Sequence, residues 1–151
     1  MQAREFDDNN GVEMNALNTT QKKLDFFVST WKRLFVNTND EPAEKVVEDC
    51  FTDNYQFTVN GAELDFDKMI DRANIIRKDT KDLQLEVLQS VGEGDQLADI
   101  HQVRVTKIDG STLQVYLHAF TTFSNGKISR IRILSMNIGG TEEDVDIASR
   151  H

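Results

Sequence analysis

The chain has 151 residues, of which 38% are hydrophobic and 28% are charged, and its formal net charge is −9. This length and composition are those of one soluble globular domain that can bury a core. The acidic balance argues against nucleic acid as a partner, because such binding depends on Lys and Arg neutralising phosphates. No apolar run approaches the roughly 20 residues of a membrane span, and the N-terminus lacks the apolar core of a signal peptide.

The sequence contains a single cysteine, Cys50, so an internal disulfide is excluded and a reducing, cytoplasmic location is expected. Cys50 falls on the apolar side of a predicted helix, which favours a buried small hydrophobe over a nucleophile. The chain has no metal-ligand spacing and no glycine-rich phosphate loop. We therefore expect no metal, no cofactor, and neither a membrane nor a nucleic acid as partner.

Three amphipathic helices are predicted in the first half of the chain. Asn18 and Gln21 resemble a capping box that opens the first helix. The second helix has Pro42 in its first turn, where the missing N–H does no harm. Asp65 can cap the third, over about residues 66–77. Each helix places its apolar residues along one stripe, so each should bury one face.

Strands follow from apolar residues that alternate with polar ones, first at residues 54–59 and then at 83–87. The order helix, helix, strand, helix, four antiparallel strands predicts an α+β fold with the helices gathered on one face of a bent sheet. The domain is expected to span residues 18–138. It should lie between a mobile N-terminal arm, residues 1–17, and an acidic disordered tail, residues 139–151.

Residues 97–136 are predicted to form three strands joined by tight hairpins, with an Asp-Gly pair at 109–110 and an Asn-Gly pair at 125–126. Two-residue hairpin turns require φ > 0, which these dipeptides tolerate. If both loops have two residues, His101 lies opposite His118. A three-residue loop with a bulge at 109–110 would move the two histidines out of opposition.

In the two-residue register, one face of this sheet is apolar with titratable groups at its centre, which is how a ligand pocket is lined. That face carries Asp99, His101, Val103, Tyr116, His118, Phe120, Ile131, Ile133 and Ser135. Two imidazoles in contact cannot easily both be charged, so one could serve as a base near neutral pH. The alternative is that the two histidines have no function and only form hydrogen bonds with each other or with a water inside the core.

The opposite face is predicted to carry three arginines, Arg104, Arg130 and Arg132. They could form an anion site. On a chain of net charge −9, however, they fit better as partners of acidic groups across a homodimer interface, with their stems covering Leu117 and Leu134. A homodimer through this outer face is therefore expected.

Three segments, TWKRLF, FTDNYQFTVNG and HAFTTFSNGKISRIRIL, resemble the superfamily of nuclear transport factor 2, SnoaL-like polyketide cyclases and ketosteroid isomerase. The resemblance covers about residues 20–137. It implies a cone of helices closed by a strongly curved, mostly antiparallel sheet, with a ligand cavity inside and often a dimer through the outer face of the sheet.

The resemblance does not extend to ketosteroid isomerisation. In those enzymes the general base is an aspartate late in the first strand, and the matching residues here, 58–60, are Thr-Val-Asn. Their oxyanion hole uses a tyrosine of the first helix, for which Trp31 is the nearest match. With no carboxylate at the position of the base, that activity is rejected.

Scytalone dehydratase, from the same superfamily, resembles the chain more closely. It uses two histidines on neighbouring strands and a Ser-x-Asn pair on the last strand, which His101, His118, Ser135 and Asn137 match in type and order. SnoaL-like cyclases carry an acid/base aspartate in the sheet, and Asp99 is the candidate for it.

These observations predict a SnoaL-like domain that binds a small, mostly apolar molecule, with cofactor-free acid–base chemistry (dehydration, isomerisation or cyclisation) by His101, His118 and Asp99. The residues expected to bind the ligand are Trp31, Phe57, Tyr116, Phe120, Ile133 and Ser135. The alternative is a non-catalytic ligand-binding or dimerisation module, in which Trp31 is simply core.

Overall fold

The computed structural model describes residues 17–37 and 40–139. Its elements in chain order are α1 (Thr20–Phe35), α2 (Ala43–Cys50), β1 (Phe51–Val59), β2 (Ala62–Glu63), α3 (Phe66–Asp79), β3 (Thr80–Glu93), β4 (Gln96–Lys107), β5 (Thr112–Ser124) and β6 (Lys127–Gly139). Apart from Leu17 and Gly139, the predicted arm and the predicted tail lie outside the described residues.

Side-chain caps fix the starts of the longer helices. Asp65 caps α3 as predicted, since its Oδ1 accepts a hydrogen bond from the Lys68 amide at 2.9 Å. The capping box predicted for α1 is wrong by one residue. Thr19 is the N-cap, and its hydroxyl accepts from the Lys22 amide at 3.0 Å.

The second helix is shorter than its apolar pattern suggested. Pro42 stands at the N-cap of α2, outside the first turn. Phe51 belongs to β1, although its spacing from Val47 fits a helical stripe. Phe51 is buried either way, so the apolar pattern alone could not distinguish the end of the helix from the start of the strand.

One six-stranded sheet has the order β2-β1-β6-β5-β4-β3. The β1–β6 pair is parallel and every other pair is antiparallel. The sheet is open, with β2 and β3 at its edges, and it curls around the helices. The predicted α+β class, with helices packed on a curved and mostly antiparallel sheet, is confirmed.

The β4–β5 hairpin has a loop of three residues, 108–110, rather than two. The Gly110 amide donates to the Lys107 carbonyl at 3.0 Å, and the Lys107 amide donates to Ser111 at 2.8 Å. Gly110 has φ 93°, the left-handed conformation that ends a three-residue loop of this kind. The extra residue shifts β5 by one position, so His101 lies opposite Leu117.

The β5–β6 hairpin does have the predicted two-residue turn. Asn125 and Gly126 have φ of 54° and 77°, and Ser124 pairs with Lys127. Further along, the pairing shifts between Thr122 and Phe123 because Ser129 is an extra residue in β6. His118 therefore lies opposite Leu134 and not Ile133.

A network of two arginines fastens the helices together. The Arg77 guanidinium of α3 donates to three backbone carbonyls, Arg33 and Leu34 at the end of α1 and Glu41 before α2, at 2.8 to 2.9 Å. The Arg33 guanidinium holds Glu41 through two contacts of 2.9 and 3.0 Å and reaches Asp49 at 2.9 Å. These bonds satisfy carbonyls that the end of α1 leaves unpaired.

The network shifts the titration of its acids. Hydrogen bonds from Arg33 lower the pKa of Glu41. Hydrogen bonds from Lys45 and then from Arg33 lower the pKa of Asp49. Both carboxylates therefore stabilise the fold above their unfolded pKa values of about 4, and that stabilisation is lost as the pH falls through the lowered folded values.

We expect Arg33→Gln to lower the free energy of unfolding at pH 7 and to have a smaller effect at pH 3, where the carboxylates begin to be protonated. Urea unfolding at the two pH values measures this difference. Lys32→Gln, at the exposed neighbouring position of α1, is the matched control. An equal loss of stability at both pH values would contradict the assignment.

Candidate functional site

The inner face of the sheet and α3 enclose a cavity of about 110 Å³. Strongly apolar side chains make up most of its wall. The lining residues are Trp31, Phe35, Phe57, Val59, Arg72, Ile75, Ile76, Asp79, Thr80, Leu83, Val103, Val105, Lys107, Leu113, Val115, Leu117, Ile133 and Ser135. Of the predicted ligand-binding residues, the structure therefore brings Trp31, Phe57, Ile133 and Ser135 together around one cavity.

Stacked aromatic rings close the inner end of this cavity. Trp31 stacks on Phe57 with ring centroids 5.9 Å apart, and on Phe27 at 4.6 Å. Phe27 and Trp31 are one helical turn apart in α1, which places both rings over the sheet. Trp31 lines the cavity, and Phe27 contacts both Trp31 and His101, so these two rings form an aromatic wall on the His101 side of the cavity.

Asp99 and His101 lie behind that wall. They are two residues apart in β4, so their side chains share the inner face. Asp99 Oδ2 lies 2.5 Å from His101 Nδ1, and both side chains are fully buried. The His101 ring packs edge-on against Phe27 at 5.3 Å. Neither residue lines the cavity.

Only two of the four polar side-chain atoms of this buried pair form a hydrogen bond within the described residues. His101 Nε2 and Asp99 Oδ1 have no hydrogen-bond partner among the described residues, and the same holds for the buried hydroxyls of Thr30 and Thr121. An Asp-oriented imidazole with its second nitrogen available is the arrangement that a general base requires. The pair therefore has suitable chemistry, but it is separated from the cavity by the aromatic wall.

The predicted opposition of His101 and His118 is wrong. His118 pairs with Ile100, and because side chains alternate along a strand, His118 points to the outer face. Tyr116 and Phe120, two positions before and after His118, point to the same outer face. The ring centroids of Tyr116 and His118 lie 6.1 Å apart on that face. These three residues therefore lie outside the cavity. The three-residue loop at 108–110 is the physical reason.

The outer face carries the predicted arginines together with exposed apolar side chains of β6. Leu134, Met136 and Ile138 are 65%, 60% and 46% exposed, and Phe120 of β5 is 44% exposed. Leu117, which was expected here, is on the inner face and 8% exposed. A shallow groove of about 720 Å³ crosses this face.

Sequence reasoning missed the charged residues of the cavity lining. They are Arg72 and Asp79 of α3 and Lys107 at the end of β4. Lys107 Nζ is 3.6 Å from Asp79 Oδ2, and the Lys107 side chain is only 11% exposed. The helical spacing of Arg72, Ile75, Ile76 and Asp79 places these residues along one side of α3, and this spacing could have indicated the charged residues from the sequence.

A second polar contact joins β1 to β6 at the cavity wall. Asn60 follows β1 in a left-handed conformation, φ 50°. Its amide group donates to Ser135 Oγ at 3.0 Å and accepts from the Ser135 backbone N–H at 2.9 Å. Asn60 lies in the stretch 58–60 that matches the position of the catalytic aspartate in ketosteroid isomerases, and it holds the predicted ligand residue Ser135 in place.

Among the described residues, no group of three or more His, Cys, Asp or Glu side chains could hold a metal ion. No helix in these residues is long and apolar enough to cross a membrane.

Comparison with known proteins gives both a relative and a fold. The uncharacterized protein C11D3.04c of Schizosaccharomyces pombe is 30% identical over 98 residues, covering 65% of this chain and 75% of that protein. The chain belongs to the family of this yeast protein. No protein-family model matches the chain.

Solved structures show the fold of this family member. A SnoaL-like protein from a Jannaschia species has a TM-score of 0.52 at 15% identity, covering 74% of this chain and 85% of that one. An NTF2-like protein from Cytophaga hutchinsonii has a TM-score of 0.51 at 20% identity, covering 83% of this chain and all of that one. The chain therefore has the nuclear transport factor 2-like fold that its sequence resembles, shared with SnoaL-like proteins.

We expect His118→Gln to leave the ring-proton resonances of His101 unchanged, because the two rings lie on opposite faces of the sheet. Asp99→Asn should shift the same resonances, because it alters the direct partner of Nδ1. Two-dimensional NMR of the histidine rings measures both effects. Should His118→Gln shift the His101 signals, the observed register would be contradicted, whether or not the Asp99 variant folds.

Proposed function

We propose that this protein binds a small, mostly apolar molecule in the inner cavity. The observation that carries the proposal is the cavity itself. Aromatic and aliphatic side chains make up most of its lining, and polar groups are few. An engineered apolar cavity of about 150 Å³ accepts benzene. A cavity of about 110 Å³ therefore suits a single ring or a short branched chain.

Non-catalytic binding is favoured over catalysis as the first candidate. Of the three proposed acid–base residues, His118 is on the outer face, and Asp99 and His101 are buried and do not line the cavity. A ligand that fills only the cavity would not touch any of them.

Acid–base chemistry is the second candidate, and the unpartnered Nε2 of His101 favours it. The Asp99 carboxylate orients the ring, so Nε2 could take or deliver one proton without a cofactor. Dehydration, isomerisation and cyclisation each need one proton taken and one delivered. This candidate requires the Phe27–Trp31 wall to open when a ligand enters.

Benzene titration of ¹⁵N-labelled protein tests the cavity, with the indole N–H of the single tryptophan, Trp31, as reporter. We expect a saturable shift of that signal. Ile133→Phe fills the cavity and should weaken binding by about tenfold or more, at a packing cost of about 1–3 kcal/mol. Leu134→Phe, the adjacent residue on the outer face, should leave binding unchanged.

The same titration separates the two candidates. A ligand that stops at the wall shifts the Trp31 indole signal and leaves the His101 ring signals in place, which supports binding alone. A ligand that opens the wall shifts both, which supports the acid–base candidate. No saturable indole shift, or equal binding by the Ile133 and Leu134 variants, would refute the cavity as the binding site.

We also propose that two copies of the chain pair through the outer sheet face. The support is the apolar surface of Leu134, Met136 and Ile138 beside Arg130 and Arg132, which is exposed in the part of the chain that the structure describes. Isolated apolar residues are common on surfaces, but a contiguous group of this size is typical of an interface. The arginine stems would extend the apolar contact, and their heads would meet acidic groups of the other copy.

Sedimentation equilibrium at micromolar concentration is expected to show a dimer. Leu134→Glu should weaken the dimer by about tenfold or more, since it places a charge within the apolar patch. Ile108→Glu introduces the same charge at a similarly exposed residue, 63% exposed, in the β4–β5 loop and should have little effect. A wild-type protein that is monomeric at these concentrations would refute the proposal.

A further inference from the structure

Two strands carry opposite charges on the outer face of the sheet. Arg130 and Arg132 project from β6, and Asp82, Glu86 and Glu93 project from the same face of β3. All five residues are exposed. Because β5 and β4 lie between β6 and β3, about 14 Å separates the arginines from the acids, at about 4.8 Å per strand. The basic strand and the acidic strand are therefore too far apart to pair within one copy.

These charges have no charged partner within the described part of the chain. None of the five residues belongs to an ion pair there. Arg130 contacts a neutral group, since its Nε donates to Gln56 Oε1 at 3.2 Å. Charges that are not neutralised within one copy are available to a second copy, and complementary charges across an interface fix its register.

The face between the two charged strands is mostly apolar and contains the outer groove. Phe120 of β5 lies directly opposite Ala98 of β4, and both line the groove. The ring of Phe120 is 44% exposed, whereas Ala98 has only a methyl side chain. The face thus presents a projecting ring and, beside it, a low point in the surface.

Opposite charges meet in one of the two simple ways in which such a face can pack on a second copy of itself. A two-fold axis that crosses the strands would place each strand on its own equivalent, so that arginines face arginines and acids face acids. An axis that runs along the strands, between β4 and β5, places β6 of each copy on β3 of the other. Both keep the strands of the two sheets aligned, so charge favours the second.

The pairing of the strands shows which residues this axis brings together. Rotation about an axis along the strands keeps each residue in its row across the sheet. One such row consists of Arg130, Thr122, Gln96 and Glu93. Exchange of β6 with β3 therefore brings Arg130 to Glu93. Exchange of β5 with β4 brings Phe120 to Ala98, which share another row.

We infer that two copies pair about an axis along the strands, so that Arg130 of each copy contacts Glu93 of the other. In the same arrangement, Phe120 of each copy packs on Ala98 of the other, and the projecting ring fills the low point in the groove. The inference rests on the proposed dimer and adds which residues meet in it. Two ion pairs then flank an apolar centre, as in a protein interface with a polar rim.

A mixture of two charge variants tests the contact between Arg130 and Glu93. Arg130→Glu and Glu93→Arg, each alone, place like charges at both contacts and should weaken the dimer by about fivefold or more. A mixed dimer of the two variants has opposite charges at both contacts, so the mixture should regain the wild-type affinity to within about twofold. Sedimentation equilibrium at low salt measures the affinities. A mixture of Arg104→Glu with Glu93→Arg is the matched control and should regain none of it.

A mixture of two size variants tests the contact between Phe120 and Ala98. Phe120→Ala removes both rings and Ala98→Phe fills both low points, so each alone should weaken the dimer by about tenfold. A mixed dimer has one ring at each contact and should regain most of the affinity. An effect confined to one chain would not be reversed by mixing. Thermal unfolding of the separate variants verifies that each is folded.

The outcomes distinguish this arrangement from the proposed dimer. Recovery in both mixtures supports the arrangement. If Leu134→Glu weakens a wild-type dimer but either mixture fails to recover, the arrangement is overturned while the dimer through the outer face remains. If the wild-type protein is a monomer, the dimer and the arrangement both fail.

Discussion

The loop of three residues between β4 and β5 fixes which side chains of the sheet meet inside the protein. Gly110 can adopt its φ of 93° without a steric penalty, so the loop closes with three residues. The pairing of β5 with β4 is therefore shifted by one residue from the pairing that a two-residue loop would give. Side chains alternate along a strand, so this single step exchanges the two faces of β5. Leu117, Ala119 and Thr121 thereby face the core, and the inner cavity is apolar on its β5 side.

The same register isolates one titratable pair in the core. Asp99 and His101 remain on the inner face, but their neighbours on β5 are Ala119 and Leu117. An isolated charge in such an environment costs several kcal/mol, and the short contact between the two side chains offsets part of that cost. His101 Nε2 and Asp99 Oδ1 have no hydrogen-bond partner among the described residues. Buried polar atoms without a partner are unfavourable for stability, and this favours a functional role for His101.

The cavity combines an apolar lining with a few polar groups. Trp31 and Phe57 are among its aromatic residues, and Arg72, Asp79 and Lys107 are its charged ones. Binding in such a site combines the non-directional burial of an apolar body with directional contacts to the polar groups. The apolar outer face is a separate surface, since the sheet itself lies between it and the cavity.

Local signals in the sequence determined the helices, the strands and one of the two turns. The apolar stripes, the Asp65 cap and the Asn125-Gly126 turn each depend on residues within a few positions, so the sequence alone was sufficient to predict them, and with them the α+β class. The resemblance of three segments added the family fold. The structure also brings Trp31, Phe57, Ile133 and Ser135 together around one cavity, and Ile133 and Ser135 face it because the bulge at Ser129 offsets the shift of β5.

The tertiary structure alone decided how these elements meet. One extra residue in the β4–β5 loop moved Tyr116, His118 and Phe120 to the outer face, and the bulge at Ser129 kept Ile133 on the inner face. The Asp-Gly pair is compatible with loops of either length. The parallel β1–β6 pair and the three carbonyls held by Arg77 join residues that are far apart in the chain. The energies of these contacts depend on distances that the whole fold determines, and those distances cannot be inferred from a short stretch of sequence.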